Sequence, residues 1–451
     1  MKRTIDYFLL EWKAYSGRKP LLLRGARQVG KTYAVRTLGK TFAHFVEVNL
    51  EENEAARKII EKDFDIVRIT QQLSELLQQE IVPGKTLLFF DEIQSAPRTV
   101  TALRYFFEKM PKLHVIAAGS LLEFAIEQVG IPVGRVSPMY MYPLSFLEVL
   151  VALGNETWAK KIIEHNPEEL FSEPLHEKLL DIVGEYVAIG GMPEAVIEWI
   201  KTKKSRNVKI IHADLIYTYQ QDFGKYAKKH QIKYLTLMFQ RAIEQLSNKF
   251  MYSRVGEYQK RELEPALDLL KKAGLVYQVI RSAGQGIPLG AQADPSDFKV
   301  IALDTGLSQA LLKLDITSWL LEPIATFINK GEIVEAFVGQ EILAYSDPIS
   351  KDDLFYWNKE NRGSQAELDY LVQIQEHVVP IEVKAGTSKR IKSMYVFLET
   401  HPNSAYGMRF SALNYTVEQQ VRSYPLYAVA KPFCDVNEDL RKALMSLVKE
   451  K

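Results

Sequence analysis

Over residues 1–150, short apolar runs alternate with helix-length amphipathic segments: "PLLLRG" (20–25), "AHFVEVNL" (43–50), "KTLLFFDE" (85–92) and "KLHVIAAGS" (112–120). A run that is apolar along its length belongs to a strand covered on both faces, so the pattern predicts a buried parallel sheet. With helices between the strands, the region reads as a doubly wound α/β domain. Residues 151–235 turn helical throughout and carry the lysine clusters "KTKKSRNVK" and "KYAKKHQIK", which read as solvated helix faces. In residues 236–320, "YQKRELEPALDLLKKAGLVYQVI" predicts an amphipathic helix stopped by Gly274 and then a strand, as in a winged helix. "SAGQGIPLGAQADPSDF" (282–298) reads as a long wing or loop. A helix is expected over 331–345, then β-pattern from 354 to 385 ("LFYWN", "LDYLVQI", "VVPIEVKAG"), a strand at 424–430 and a charged terminal helix. The fourth segment therefore spans 321–430, with a tail to 451.

A chain of 451 residues is too long for one core, which agrees with several segments. The formal net charge of +1 supplies no global field toward nucleic acid, so any such contact must be local. The single cysteine, Cys434, forms no internal disulfide and suits a reducing cytoplasm as a packing thiol. No apolar run reaches the ~18 residues of a membrane helix, and the amino-terminal stretch lacks the features of a signal peptide. The eight histidines show no metal-ligand spacing.

The chemistry gathers where the first strand ends. "GARQVGKT", Gly25-Ala26-Arg27-Gln28-Val29-Gly30-Lys31-Thr32, fits G-x-x-x-x-G-K-[ST] in full. Glycines let successive N–H groups curl around one anion, and the following helix adds its positive end. Lys31 would reach the β and γ phosphates, and the Thr32 hydroxyl would bind Mg²⁺. Asp91 ends the strand "TLLFFDE", where it would hold Mg²⁺, and the adjacent Glu92 would activate a water. Ser120, at the end of "VIAAGS", would sense the γ-phosphate or position that water. Arg135, in "PVGRVSP", would stabilise transition-state charge, in its own site or in that of a neighbouring copy.

"RGARQVGKT", "FFDEIQ", "GSLLE", "GRVSPMYMYPLSFLE", "YVAIGGMPEAV" and "LDTGLSQAL" together resemble a prokaryotic AAA-type P-loop ATPase family with an uncharacterised carboxyl-terminal region ending in a restriction-endonuclease-like domain. The resemblance covers about residues 1–430. It implies a P-loop core binding ATP, a helical lid, a winged helix and a mixed α/β nuclease-like module.

In that module, residues two apart on a strand share a face, so Glu382 and Lys384 of "PIEVKAG" project together. A hairpin through "QIQEHV" would bring Asp369, flanked by inward-facing Leu368 and Tyr370, beside Glu382. Two carboxylates there would make a hard oxygen site for Mg²⁺ or Mn²⁺, able to assist phosphodiester hydrolysis. The set is similar to PD-(D/E)XK nucleases: Asp369 at the acid position, Glu382 and Lys384 at E-x-K, and Glu335 as the helical glutamate. Glu367 is the alternative to Asp369, and the leading Pro-Asp is absent. The same charges also suit the wet face of a hairpin. Lys260, Arg261, Lys271 and Lys272 would let the winged-helix segment touch DNA, or the segment docks a protein partner. Three functions fit these parts: an ATPase controlling a DNA-directed nuclease, a switch or scaffold with an inactive nuclease-like fold, and a DNA-remodelling motor. Any of them admits a homo-oligomer.

Overall fold

Alternate residues of the amino-terminal strands enter two different cores. Leu21, Leu23, Leu87, Phe89, Ile116 and Ala118 face one, and Leu22, Leu88, Phe90, Val115 and Ala117 face the other. That is the double-sided burial that continuous apolar runs require. The structure is a computed structural model and describes residues 1–361, 364–386 and 391–448. The strands β1 (Leu21–Arg24), β2 (His44–Asn49), β3 (Thr86–Asp91), β4 (His114–Ala118) and β5 (Ser137–Tyr140) form one parallel sheet in the order β2-β3-β4-β1-β5. Because β1 lies between β4 and the edge strand β5, the loop that follows it emerges at the sheet's carboxyl edge with a neighbour on each side.

The chain then runs through the helices Glu156–Glu164, Glu173–Ile189, Pro193–Thr202 and Ser205–Tyr226. Helices Ile232–Ile243 and Lys260–Lys272 follow, and then the hairpin of β6 (Val276–Ser282) and β7 (Ala293–Ala302). The stretch 282–298 is thus only partly loop. The β7 strand already begins at Ala293, because Phe298, Val300 and Ile301 must enter the core.

β6 also pairs in parallel with β8 (Leu354–Asn361), which carries the hairpin into a second sheet. With β9 (Ser364–Ile374), β10 (His377–Lys384), β11 (Gly407–Ser411), β12 (Thr416–Glu418) and β13 (Val421–Pro425), the order is β12-β13-β11-β10-β9-β8-β6-β7. This sheet therefore runs across the segment boundary expected near 320. Helix Gly331–Ala344 packs on the face of Tyr370, Val379, Ile381 and Phe410, and helix Lys392–Thr400 covers Leu371 and Val378 on the other.

Two local expectations need correction. The strand expected at 424–430 ends at Pro425, and the chain turns through Leu426–Ala428 into helix Ala430–Val436. Proline cannot donate to a ladder, so the strand stops there. Leu368 and Tyr370, two apart, do not share a core: Leu368 joins Met394 and Phe397, and Tyr370 joins the larger core. The β8–β9 register slips between Phe355↔Leu371 and Trp357↔Leu368, and this bulge re-aims Asp369. Cys434 is buried, and burial pushes its thiol up to about 12, which leaves it an inert packing group.

Candidate functional site

At the end of β1 the backbone takes conformations that favour glycine: φ is 147° at Gly25 and 100° at Gly30. A Cβ on Gly25 would collide with the Met141 carbonyl oxygen, so only glycine lets the loop pass β5 this closely. Helix Lys31–Gly39 starts directly from Gly30. The Lys31 ammonium is buried and donates to the carbonyls of Gly25 at 2.9 Å and Ala26 at 2.7 Å. Burial lowers its pKa to about 8, against the partial support of Glu92 and Asp91.

The Thr32 hydroxyl donates to Asp91 at 2.7 Å. Burial pushes the Asp91 carboxyl upward, and this hydrogen bond works against the shift. Hydroxyl and carboxylate side by side are hard oxygen donors, and this pair fits Mg²⁺. Glu92 follows in the left-handed region (φ 51°) and accepts from Gln94. Ser120 is buried beyond β4, and its hydroxyl oxygen has no hydrogen-bond partner among the described residues. It lines one cleft with Gly25 and Ala26. Residues 25–32, Asp91, Glu92 and Ser120 therefore converge.

Arg135 does not join them. It lies just before β5, whose Ser137 is level with Leu21, so it stands at the edge of the sheet opposite the loop. There it pairs with Glu108 at 3.2 Å, largely in solvent. Within one chain, the role of Arg135 at the phosphate site is corrected by this topology: a parallel strand entered from below cannot deliver its first residues to the top.

Other residues, which the sequence did not single out, brace the loop. Arg3 donates to the Val29 carbonyl at 3.0 Å and the Tyr142 carbonyl at 2.8 Å, and pairs with Glu148 at 3.0 Å. Arg27 points away from the phosphate seat and donates to both oxygens of Asp222 at 2.9 and 2.7 Å. The Tyr219 hydroxyl donates to the Arg27 carbonyl at 3.0 Å. The motifs with no assigned chemistry interlock nearby. In "PLSFLE", Glu148 caps its own helix with Ser145, and the Phe146 N–H donates to Glu341 at 2.9 Å. The Leu144 N–H donates to Gly191 of "GGMPE" at 2.7 Å, and the Gly191 N–H donates to Asp304 of "LDTG" at 2.6 Å. A Cβ on Gly191 would strike the Leu144 backbone. The signal for this junction was the presence of Gly, Asp and Glu within otherwise apolar runs.

In the carboxyl-terminal module the hairpin forms as expected, and the Val383 N–H donates to Asp369 at 2.7 Å. Lys384 pairs with Glu382 at 2.5 Å. Glu335 and Asp369 are also close, but a residue missing from the expected set stands among them. Lys299 of β7, 1% exposed, pairs with Glu335 at 3.0 Å and with Glu367, and lies 3.9 Å from Asp369. Burial alone would push its ammonium down, but Glu335, Asp369 and Glu367 together hold its pKa above the ordinary lysine value. Burial raises the carboxyls of Glu335, Asp369 and Glu382. Among the described residues no three His, Cys, Asp or Glu side chains form a set that could hold a metal ion. At the Mg²⁺ or Mn²⁺ site expected at Asp369 and Glu382, Asp369 Oδ2 serves the Val383 N–H and Glu382 Oε1 serves Lys384, while Glu382 Oε2 is buried with no hydrogen-bond partner among the described residues. The signal for Lys299 was a lysine inside the apolar strand "FKVIA".

Three of the four cations expected to touch DNA, all but Arg261, sit in solvent-exposed ion pairs. Lys260 pairs with Glu264, Lys271 with Asp268 and Lys272 with Glu127. Among the described residues, no helix is long and apolar enough to cross a membrane.

Comparison with known proteins adds three regions. Residues 17–150 match the model of an AAA domain, and residues 180–318 and 330–429 match two separate domains of unknown function. No curated protein matches the chain. Among solved structures, a Walker-type ATPase of Pyrococcus abyssi is 14% identical with a TM-score of 0.44, covering 69% of this chain and 98% of that one. PCH-2 of C. elegans is 14% identical with a TM-score of 0.27, covering 45% of this chain and 62% of that one. Likenesses this slight carry no argument. The loop geometry and the matched model agree on an AAA-type P-loop domain over residues 17–150.

Proposed function

We propose that the chain binds and hydrolyses ATP at this loop and uses the change to act on its carboxyl-terminal module. The carrying observation is the contact of Thr32 with Asp91 beside the buried Lys31 ammonium, with Glu92 next in the chain. In this reading the N–H groups of residues 25–32 and Lys31 hold the β and γ phosphates. Mg²⁺, held by Thr32 and Asp91, would neutralise charge on those phosphates when bound. Glu92 takes a proton from water, the water oxygen bonds to the γ phosphorus, and the bond to the bridging oxygen breaks to leave ADP and phosphate. Ser120 orients the water or the γ-phosphate. Arg135 serves only the site of a neighbouring copy, so its contribution requires assembly.

A line of polar contacts supports the transmission. Val29 is tied to Arg3, Arg3 to Glu148, the Glu148 helix to Glu341, and Glu341 lies on the helix that carries Glu335. A second tie runs from Arg27 to helix Ser205–Tyr226. For the module itself, helix Gly331–Ala344, the β8–β9–β10 meander and helix Lys392–Thr400 support the nuclease-like reading of the fold. The engagement of Glu335 and Glu367 by Lys299, with Asp369 facing it, favours the scaffold over the nuclease.

The test is phosphate release by purified protein with Mg²⁺ and ATP. Lys31→Ala should abolish binding. Glu92→Gln should keep ATP bound while turnover falls by about 10²-fold or more. Parental turnover in Glu92→Gln would remove Glu92 as base, and no ATP uptake by the wild type would remove the proposal.

A further inference from the structure

The carboxyl-terminal cluster draws its parts from a helix and from two strands three places apart in the eight-stranded sheet. Glu335 comes from helix Gly331–Ala344, Glu367 and Asp369 from β9, and Lys299 from β7 on the far side of β6 and β8. The Lys299 side chain is enclosed, with its aliphatic stem in the core and its ammonium over the Tyr356 ring at 5.1 Å. Asp369 Oδ2 accepts the Val383 N–H, Asp369 Oδ1 faces Lys299, Glu335 Oε1 accepts Lys299, and Glu382 Oε1 is taken by Lys384, which leaves Glu382 Oε2 buried without a hydrogen-bond partner among the described residues.

We propose that the Lys299 ammonium is the resident cation of this cluster and stands where a divalent metal would otherwise be held. This rests on the nuclease-like reading of the fold and decides against metal-dependent cleavage within it. A metal dication needs several oxygens converging at ~2.0–2.6 Å. Here Glu335 Oε1 and Glu367 Oε1 pair with a monovalent group that is covalently part of the chain, and Asp369 Oδ1 faces it at 3.9 Å. The consequence is positional: Lys299 lies in the 180–318 region and its carboxylates in the 330–429 region, so the cation fastens one region to the other. A diffusible metal would bind and leave, whereas this one moves only if β7 moves.

The test uses the full chain without nucleotide, titrated with Mn²⁺ and read by electron paramagnetic resonance of free Mn²⁺. Wild type and Asp369→Asn should take up the same amount of Mn²⁺. Lys299→Met, which leaves three carboxylates uncompensated, should gain one Mn²⁺ per chain, and its thermal midpoint should rise on adding Mn²⁺. A wild type that binds one more Mn²⁺ per chain than Asp369→Asn would overturn the proposal. So would a folded Lys299→Met that binds no additional ion. Should Lys299→Met fail to fold, the comparison of wild type with Asp369→Asn decides alone. ATP binding enters neither arm, so failure here is separable from failure of the ATPase reading.

Discussion

Lys31 gives the proposed nucleotide site a pH signature. Its ammonium is enclosed and donates to backbone carbonyls, and burial lowers its pKa to about 8. Phosphate oxygens at the same position would favour the charged form, so the complex holds more protons than the free protein between pH 8 and the ordinary lysine value of 10.5. ATP binding must then take up a proton and weaken as pH rises. From pH 7 to pH 9 the charged fraction falls from roughly nine-tenths to roughly one-tenth, so Kd should rise about tenfold, or about 1.4 kcal/mol. Calorimetry at pH 8, in two buffers of different ionisation enthalpy, should show uptake of roughly half a proton per ATP bound. A Kd constant within a factor of two from pH 7 to 9, without proton uptake, would show that Lys31 is fully charged in the free loop and refute the desolvation argument.

Two further outcomes follow from buried charges. Asp222→Ala leaves Arg27 without its partner, and the unfolding free energy should fall by about 2 kcal/mol, read from denaturant midpoints; an unchanged midpoint would show the pair to be water-screened. Glu341 accepts the Phe146 N–H in full burial, and burial raises its carboxyl to about 8 from 4.5. A raised folded pKa means stability that is present below pH 4.5 and lost as pH climbs through 8, a span of roughly 4–5 kcal/mol. Glu341→Gln should remove that slope, so its advantage over wild type should grow from pH 5 to pH 8 in urea unfolding; parallel pH profiles would count against it.

The parallel sheet and the phosphate loop were legible because local rules decide them. A strand buried on both faces has no choice but apolar residues, and a loop that wraps an anion needs glycine where φ turns positive, as at Gly25 and Gly30. Asp91, Glu92 and Ser120 could be placed because strand ends on one edge of a parallel sheet share a neighbourhood. Arg135 belongs to the same reasoning, but it begins its strand, and only knowledge of where β5 pairs would have sent it to the opposite edge. The braces Arg3, Asp222 and Lys299 were not legible. Each meets its partner across at least 36 positions of chain, and no periodicity links an ammonium on β7 to a helix glutamate. The bulge at Asp369 was hidden for a similar reason: an extra residue in a ladder is a property of two strands together.

These braces bear on how a filled loop could act at a distance. Lys31 now spends its ammonium on the carbonyls of Gly25 and Ala26, and a bound triphosphate on the proposed reading takes that ammonium away. The two carbonyls then lose their donor in a buried place, which costs about 1–3 kcal/mol each unless the backbone turns to find another. The loop has little freedom to turn alone. Val29 is bonded to Arg3, Arg27 to Asp222 and Tyr219, and Gly274 lies beside Ala26. The ties to Asp222, Tyr219 and Gly274 reach beyond residue 150, into the long helix Ser205–Tyr226 and the turn before the hairpin that continues into the second sheet. On the proposed reading, relief of the stranded carbonyls is shared with those elements, and that sharing would be the physical content of nucleotide control.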